Sequence, residues 1–263
     1  MSQLKVPYSL LRSLPSLMAN SLSRIQDTVL PPHSLITGRA LSKDDLQMDT
    51  ELWQSLKFID DPCCTACGFP FEFEQGVDAL CMRCHAHMPI FDHARSAITY
   101  DDISRKLVLD FKYGGRTDGL EFFAAQMMRA GSAVLDEADT LIPVPLHSSR
   151  LRQRRFNQAA LLARTISRLS DIPYQTEALV RRKNTPSQGG LTFLGRRRNV
   201  SGAFNMRPNF KDAVKGQHVV LIDDVYTTGS TLSACANPLK RAGARRVDAL
   251  TLMRVVRPQE IPK

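Results

Sequence analysis

Thirteen residues, 219–231, read VVLIDDVYTTGST. Asp223 and Asp224 follow four apolar residues, and Thr227, Thr228, Gly229, Ser230 and Thr231 lie just beyond them. The apolar run has the length of a buried strand, and the hydroxyl-rich turn opens a helical segment, TLSACANPLKRAG, ended by Gly243. Backbone N–H groups at a helix start are unpaired and sit at the positive end of the dipole, so they suit a phosphate. Gly229 permits close backbone approach, and the hydroxyls add donors. The GxxxxGK pattern of a P-loop is missing, and adjacent acids do not make a phosphoaspartate motif. Carboxylates beside a phosphate need a different contact. Neighbouring ribose hydroxyls can donate to them, or a divalent cation can bridge acid and phosphate oxygens. A sugar phosphate satisfies both halves of the pattern. A helix capped by Thr or Ser after an acidic turn would use the same residue types, but the length and order of the motif favour the sugar phosphate.

A second constellation is Cys64-x2-Cys67, thirteen residues, then Cys81-x2-Cys84. Each pair turns two thiolates toward one ion, and Gly68 suits the knuckle. Four thiolates close a tetrahedral shell with no place for water, which predicts one structural zinc per chain. The alternative is a set of reduced, merely buried thiols. Cys63 is a spare thiol, and His85, His87 and His93 are not needed as ligands. The segment is too small for its own core, so metal would supply most of its folding energy, on the order of 10 kcal/mol. Cys67→Ser is therefore expected to release the metal and disorder residues 62–90.

The elements that hold these groups follow from patterning. From about Ala94 onward short apolar runs alternate with helical periods. DTLIPVPLH reads as a buried strand ending at Pro145. Residues 157–169 read as a helix with Ala160, Leu161, Ala163, Ile166 and Leu169 on its apolar side. HVVLIDD and RVDALTLMRV are further strands. Fully apolar strands alternating with helices predict an α/β fold, a parallel sheet with helices on both faces. Residues 30–61 read as loop with single anchors such as Trp53 and Phe58. The first 26 residues lack Asp and Glu and space Leu10, Leu11, Leu14, Leu17, Met18, Leu22 and Ile25 near helical period. That is the texture of a transit peptide or of an amphipathic helix docked on the fold, and the second is preferred, with Pro15 starting or kinking it.

The 263 residues suffice for a large core and a small module, and no apolar run reaches the roughly 18 residues of a membrane span. The net charge of +9 is unevenly spread. Residues 1–140 carry 13 Lys and Arg against 19 Asp and Glu, and residues 141–263 carry 22 against 7, giving −6 and +15. The second part thus attracts anions, whether phosphorylated small molecules or nucleic acid.

VVLIDDVYTTGST resembles the signature of type I phosphoribosyltransferases, which bind phosphoribosyl pyrophosphate (PRPP). With LIPVPLHSSRLRQRRFNQAALLA, TPSQGGL, RRRNVSGAF and LVLDFKYGGR, the chain resembles the ComF/GntX family of phosphoribosyltransferase-like proteins, associated with DNA uptake in competent bacteria. The resemblance implies that Asp223 and Asp224 hold the ribose hydroxyls, with Mg²⁺, and that Thr227, Thr228, Gly229, Ser230 and Thr231 hold the 5-phosphate. It implies a pyrophosphate loop at Leu146, His147, Ser148, Ser149 and Arg150, with Arg152, Arg154 and Arg155 nearby to meet a polyanion. Family members often carry a further cysteine set. Here PPHSLITG and DTELW place Ser34, Thr37, Asp49 and Leu52 at those positions, so this half-module is expected to keep its shape without metal. The implied organisation is a helix and degenerate ribbon half over 1–60, a zinc ribbon over 61–93, and a phosphoribosyltransferase-like domain over 94–263 with a hood at 181–204.

Two activities fit. One is Mg²⁺-dependent transfer of phosphoribosyl from PRPP to an unidentified acceptor, in DNA uptake or nucleotide metabolism. There the protein positions the ribose and stabilises the departing pyrophosphate. The other is a non-catalytic, PRPP-responsive protein binding single-stranded DNA through its basic surface, although Phe156, Phe193 and Phe204 are the only obvious stacking candidates near arginines. In the hood, Gln188 could read an amide or base edge and Arg196, Arg197 and Arg198 could meet phosphate. No general base stands out. His147 is a weak candidate, Cys235 reads as packing, and His218 as the residue before a strand. A bacterial cytoplasmic location and contact with DNA-uptake proteins would follow from the resemblance.

Overall fold

The computed structural model describes residues 50–113, 119–154, 156–183 and 193–256. The strands are β1 (Ala94–Thr99), β2 (Thr140–Pro143), β3 (Leu179–Arg181), β4 (Phe204–Met206), β5 (His218–Tyr226) and β6 (Arg246–Arg254). The helices used below are α1 (Thr50–Ser55), α2 (Met82–Ala86), α3 (Asp102–Tyr113), α4 (Leu120–Ala130), α5 (Ser132–Leu135), α6 (Ser148–Arg154), α7 (Gln158–Ser170), α8 (Phe193–Val200), α9 (Lys211–Val214) and α10 (Ser230–Arg241). β1, β6, β5 and β2 form one parallel sheet in that order, and β3 pairs antiparallel with β4.

β5 is apolar on both sides because both sides are covered. Val219 and Leu221 join Leu232, Cys235 and Leu239 of α10, while Val220 and Ile222 join Phe123 and Met127 of α4 and Leu162 and Ile166 of α7. Each such aliphatic side chain contributes about 1.5–3 kcal/mol when taken fully out of water. The two-faced α/β sheet expected from the sequence is therefore the observed one.

Local differences have physical reasons. β2 stops at Pro143, not Pro145. Val144 still donates to Ile222 O at 2.9 Å, after which the chain turns toward α6. α7 buries Gln158, Ala159, Leu162, Ala163 and Ile166, a face rotated from the expected one, and Leu169 is exposed. Packing sets that face: Leu162, Ala163 and Ile166 join Val220 and Ile222 of β5 and Phe123 and Met127 of α4, while Asn157 Oδ1 accepts from Ala159 N at 3.2 Å and caps the helix. Within the stretch read as loop, residues 50–55 form α1, whose Trp53 ring lies 4.8 Å from Phe58 and 5.6 Å from Phe122.

His218 does not precede β5 but begins it, fully buried. Its Nε2 is 2.9 Å from Asp248 Oδ2 and its Nδ1 2.9 Å from Glu137 O. Arg246 Nη2 reaches the same Asp248 oxygen at 2.8 Å, and His93 Nδ1 lies 3.3 Å from Asp248 Oδ1. This polar cluster ties β1, β5 and β6 together at the amino end of the sheet. The expected phosphate chemistry lies at the opposite, carboxyl end, where β5 and β2 run side by side.

Candidate functional site

Parallel neighbours must bring their following loops together, so the turn after β5 and the loop after β2 share one edge of the sheet. Asp223 and Asp224 are the last polar residues of β5, and neither is buried. The Asp224 N–H donates to Asp223 Oδ1 at 2.9 Å, which fixes the first carboxylate against the backbone. Two partly exposed carboxylates here can accept from a diol or ligate a hard cation.

Beyond them the chain enters α10 through Gly229, which has φ 76° and provides no side-chain cap. Ser230 Oγ and Thr228 Oγ1 are 2.8 Å apart, and Ser230 N points to Thr228 Oγ1 at 3.4 Å. Gly229 has a second reason to be glycine. A Cβ there would lie 2.5 Å from the Tyr226 hydroxyl and 3.5 Å from the Phe91 ring. The turn therefore rests on a Tyr226–Phe91 floor, the two rings 6.3 Å apart and near perpendicular.

The loop after β2 is set by its neighbours. Asn157 Nδ2 donates to Val144 O at 3.0 Å, so the residue that caps α7 also anchors the loop's first carbonyl. His147 Nδ1 lies 2.8 Å from Ser149 Oγ, and His147 O accepts from Leu151 N at 3.0 Å. Leu146, His147, Ser149 and Arg150 are half-exposed and Ser148 is exposed.

Sequence reasoning missed Arg181. It ends β3, opposite Phe204 of β4, and is 7% exposed, with its guanidinium 5.3 Å from the Phe204 ring. Burial, and then the Arg150 charge, pulls its pKa down, while Cys235 and Asp223 oppose the fall. One buried cation thus shares a field with the acid of the turn and the arginine of the β2 loop. The signal was present: in ALVRRK the alternation puts Arg181 on the inward side with Leu179. Cys235 is fully buried beneath, its thiol pushed well up by desolvation and then by Asp223, which is inert packing chemistry.

Arg198 is exposed on α8. Of Arg196 and Arg197 only membership of α8 is described. Gln188, Arg155, Ser34, Thr37, Asp49 and the N-terminal apolar segment lie outside the described residues.

The second cluster is complete. The sulfur atoms of Cys64, Cys67, Cys81 and Cys84 lie within 4.8 Å of one another, all buried. Hydrogen bonding to Cys64 foremost pushes the Cys67 and Cys84 thiols up, because crowded sulfurs cannot all ionise without a cation. The Cys81 N–H donates to Cys64 Sγ at 3.3 Å, and Arg254 Nη2 to Cys67 Sγ at 3.2 Å. Such N–H groups aimed at sulfur suit thiolates, so the donor set fits a metal ion. Gly68 (φ 70°) follows the first knuckle, where a Cβ would meet Ala94 O at 2.5 Å.

Residues 159–261 match the model of the phosphoribosyl transferase domain, a span from α7 through β6 that includes the acid pair and the turn. Competence protein ComFC of Bacillus subtilis is 31% identical over 232 residues, covering 83% of this chain and 90% of that protein. The chain belongs to the ComF family of phosphoribosyltransferase-like proteins. DNA utilization protein YhgH of Escherichia coli O157:H7 is 35% identical over 154 residues. That match covers 59% of this chain and about 60% of YhgH's length. Competence protein F of Haemophilus influenzae is 38% identical over 116 residues, 44% of this chain and 50% of that one. Among the described residues no helix is long and apolar enough to cross a membrane.

Proposed function

We propose that this protein binds PRPP with Mg²⁺ at the carboxyl edge of its sheet and transfers phosphoribosyl to an acceptor. Asp223 and Asp224 hold the ribose hydroxyls. Thr227, Thr228, Gly229, Ser230 and Thr231 hold the 5-phosphate. Leu146, His147, Ser148, Ser149 and Arg150 hold pyrophosphate, with the buried Arg181 adding positive charge coupled to Arg150 and Asp223. The observation that carries this reading is that β5 and β2 are parallel neighbours, so the half-exposed acid pair, the hydroxyl turn and the β2 loop follow the same edge of the sheet. Bound Mg²⁺ neutralises part of the leaving charge. The chain's own residues orient the sugar, and oriented donors are where such catalysis gains most. Four thiolates hold one structural zinc.

The names of the relatives, competence and DNA utilization proteins, support a place in DNA uptake or use. The +15 charge of residues 141–263 supports a second reading, in which the protein responds to PRPP and binds single-stranded DNA. Calorimetry separates these. PRPP with Mg²⁺ is expected to bind wild type and to bind Asp223→Asn at least about tenfold more weakly, a charge-assisted hydrogen bond being worth about 1.5–3 kcal/mol. Pyrophosphate release on adding a nucleobase supports transfer. Salt-sensitive DNA binding without turnover supports the second reading. Wild type that ignores PRPP defeats both.

A further inference from the structure

Arg254 is the last residue of β6 and is 3% exposed. Its Nη1 donates to Cys67 O at 2.6 Å and its Nη2 to Cys67 Sγ at 3.2 Å. Its Nε, among the described residues, has no hydrogen-bond partner. What faces the guanidinium instead is aromatic. The Tyr226 ring centroid lies 4.1 Å away and that of Phe69 5.6 Å. Tyr226 is its partner in the β5–β6 register, is 4% exposed, and carries the hydroxyl against which Gly229 sits.

A buried guanidinium is stable only with a compensating anion and stacked faces. Four cysteine thiolates around a divalent cation carry a net charge of about −2, so the metal knuckle is that anion. The same side chain then presses a ring into place, with cation–π attraction strongest when desolvated, as here.

We propose that Arg254 is a positioning residue that makes the metal centre part of the phosphate site: anchored on Cys67, it holds Tyr226 as the floor of the Gly229 turn. The inference rests on the reading of Thr227, Thr228, Gly229, Ser230 and Thr231 as the phosphate turn. It adds that the turn is preorganised from below by a charged link to the ribbon. Neither Arg254 nor Tyr226 touches the ligand.

The test uses the full chain and two probes, ribose 5-phosphate for the turn and Mg²⁺-pyrophosphate for the β2 loop. Zinc per chain and each affinity are measured for wild type and Arg254→Met. The expected result is one zinc retained, ribose 5-phosphate affinity lowered about tenfold, and pyrophosphate affinity unchanged. Equal losses for both probes would mean a merely structural residue and overturn the proposal, as would unchanged ribose 5-phosphate affinity with zinc intact. If Arg254→Met does not fold, Arg254→Lys decides. It keeps the charge toward Cys67 but lacks the flat face over Tyr226, so the same selective loss is expected and wild-type affinity overturns the idea. Wild type that fails to bind ribose 5-phosphate sinks the phosphate reading itself, a result distinct from either variant's.

Discussion

Gly229 is where backbone geometry meets the proposed phosphate turn. Its φ of 76° lies in the left-handed region, and the space its Cβ would need is filled by the Tyr226 hydroxyl. Alanine there would face about 1–2 kcal/mol of backbone strain and would also have to displace a buried ring. Gly229→Ala is expected to lower the Tm by roughly 4 °C or more, at about 2–4 °C per kcal/mol for a chain of this size. It should also abolish measurable ribose 5-phosphate binding, since the turn must move off its floor. Thermal melts and calorimetry check this, and a variant with wild-type Tm would show that the ring yields freely. Arg181 and Arg254 make a related point. Each is buried against an aromatic ring, Arg181 over Phe204 and Arg254 over Tyr226.

At the scale of elements, each end of the sheet has its own polar device. The amino end is closed by Asp248, which receives His218, Arg246 and His93. Burial alone would raise the Asp248 carboxyl, but the hydrogen bonds from His218 and Arg246 prevail and hold it below the ordinary range. A depressed folded-state pKa means the unfolded chain binds more protons, so stability from this group is fully present above the unfolded value near ~3.9. It is lost as pH falls through the folded value. Asp248→Asn is expected to destabilise by about 1–3 kcal/mol at pH 7, because it takes the carboxylate away from the fully buried His218 and from the partly exposed Arg246. The deficit against wild type should stay constant down to about pH 5 and shrink below that. Urea denaturation at several pH values measures it, and a deficit that grew on acidification would refute the assignment. The strands and the acid turn were legible because apolar runs and the local motif lie in contiguous sequence. The Asp248 cluster and the Tyr226–Arg254 contact were not, because each joins residues brought together only by strand pairing. The face of α7 was misjudged for a smaller reason: the apolar run from Ala159 through Ala163 wraps more than a full helical turn, so it does not reveal which side packs on the sheet.

The whole molecule joins two kinds of stability, a hydrophobic sheet core and a thiol cluster too small to fold unaided. The junction is extensive. Ala94 N donates to Ala66 O at 2.8 Å, Ile90 N points to Ser233 Oγ at 3.4 Å, and Arg254 bonds Cys67 twice. Cys64, Cys67, Cys81 and Cys84 share one buried cluster with Leu221 of β5 and Leu232 of α10. From sequence alone, loss of the metal was expected to disorder residues 62–90. These contacts widen that expectation. Cys67→Ser should release the metal and raise amide hydrogen exchange across 62–90. It should also raise exchange at the start of β1, at Tyr226 and in the first turn of α10, which lean on the ribbon through Ala66, Arg254 and Ser233. The Asp248 cluster at the amino end and the α4–α7 face of the sheet, which make none of these contacts, should keep their protection, because local openings follow contiguous packed units. Exchange confined to 62–90 would show the ribbon to be a separable module, and one zinc still bound would reject Cys67 as a ligand.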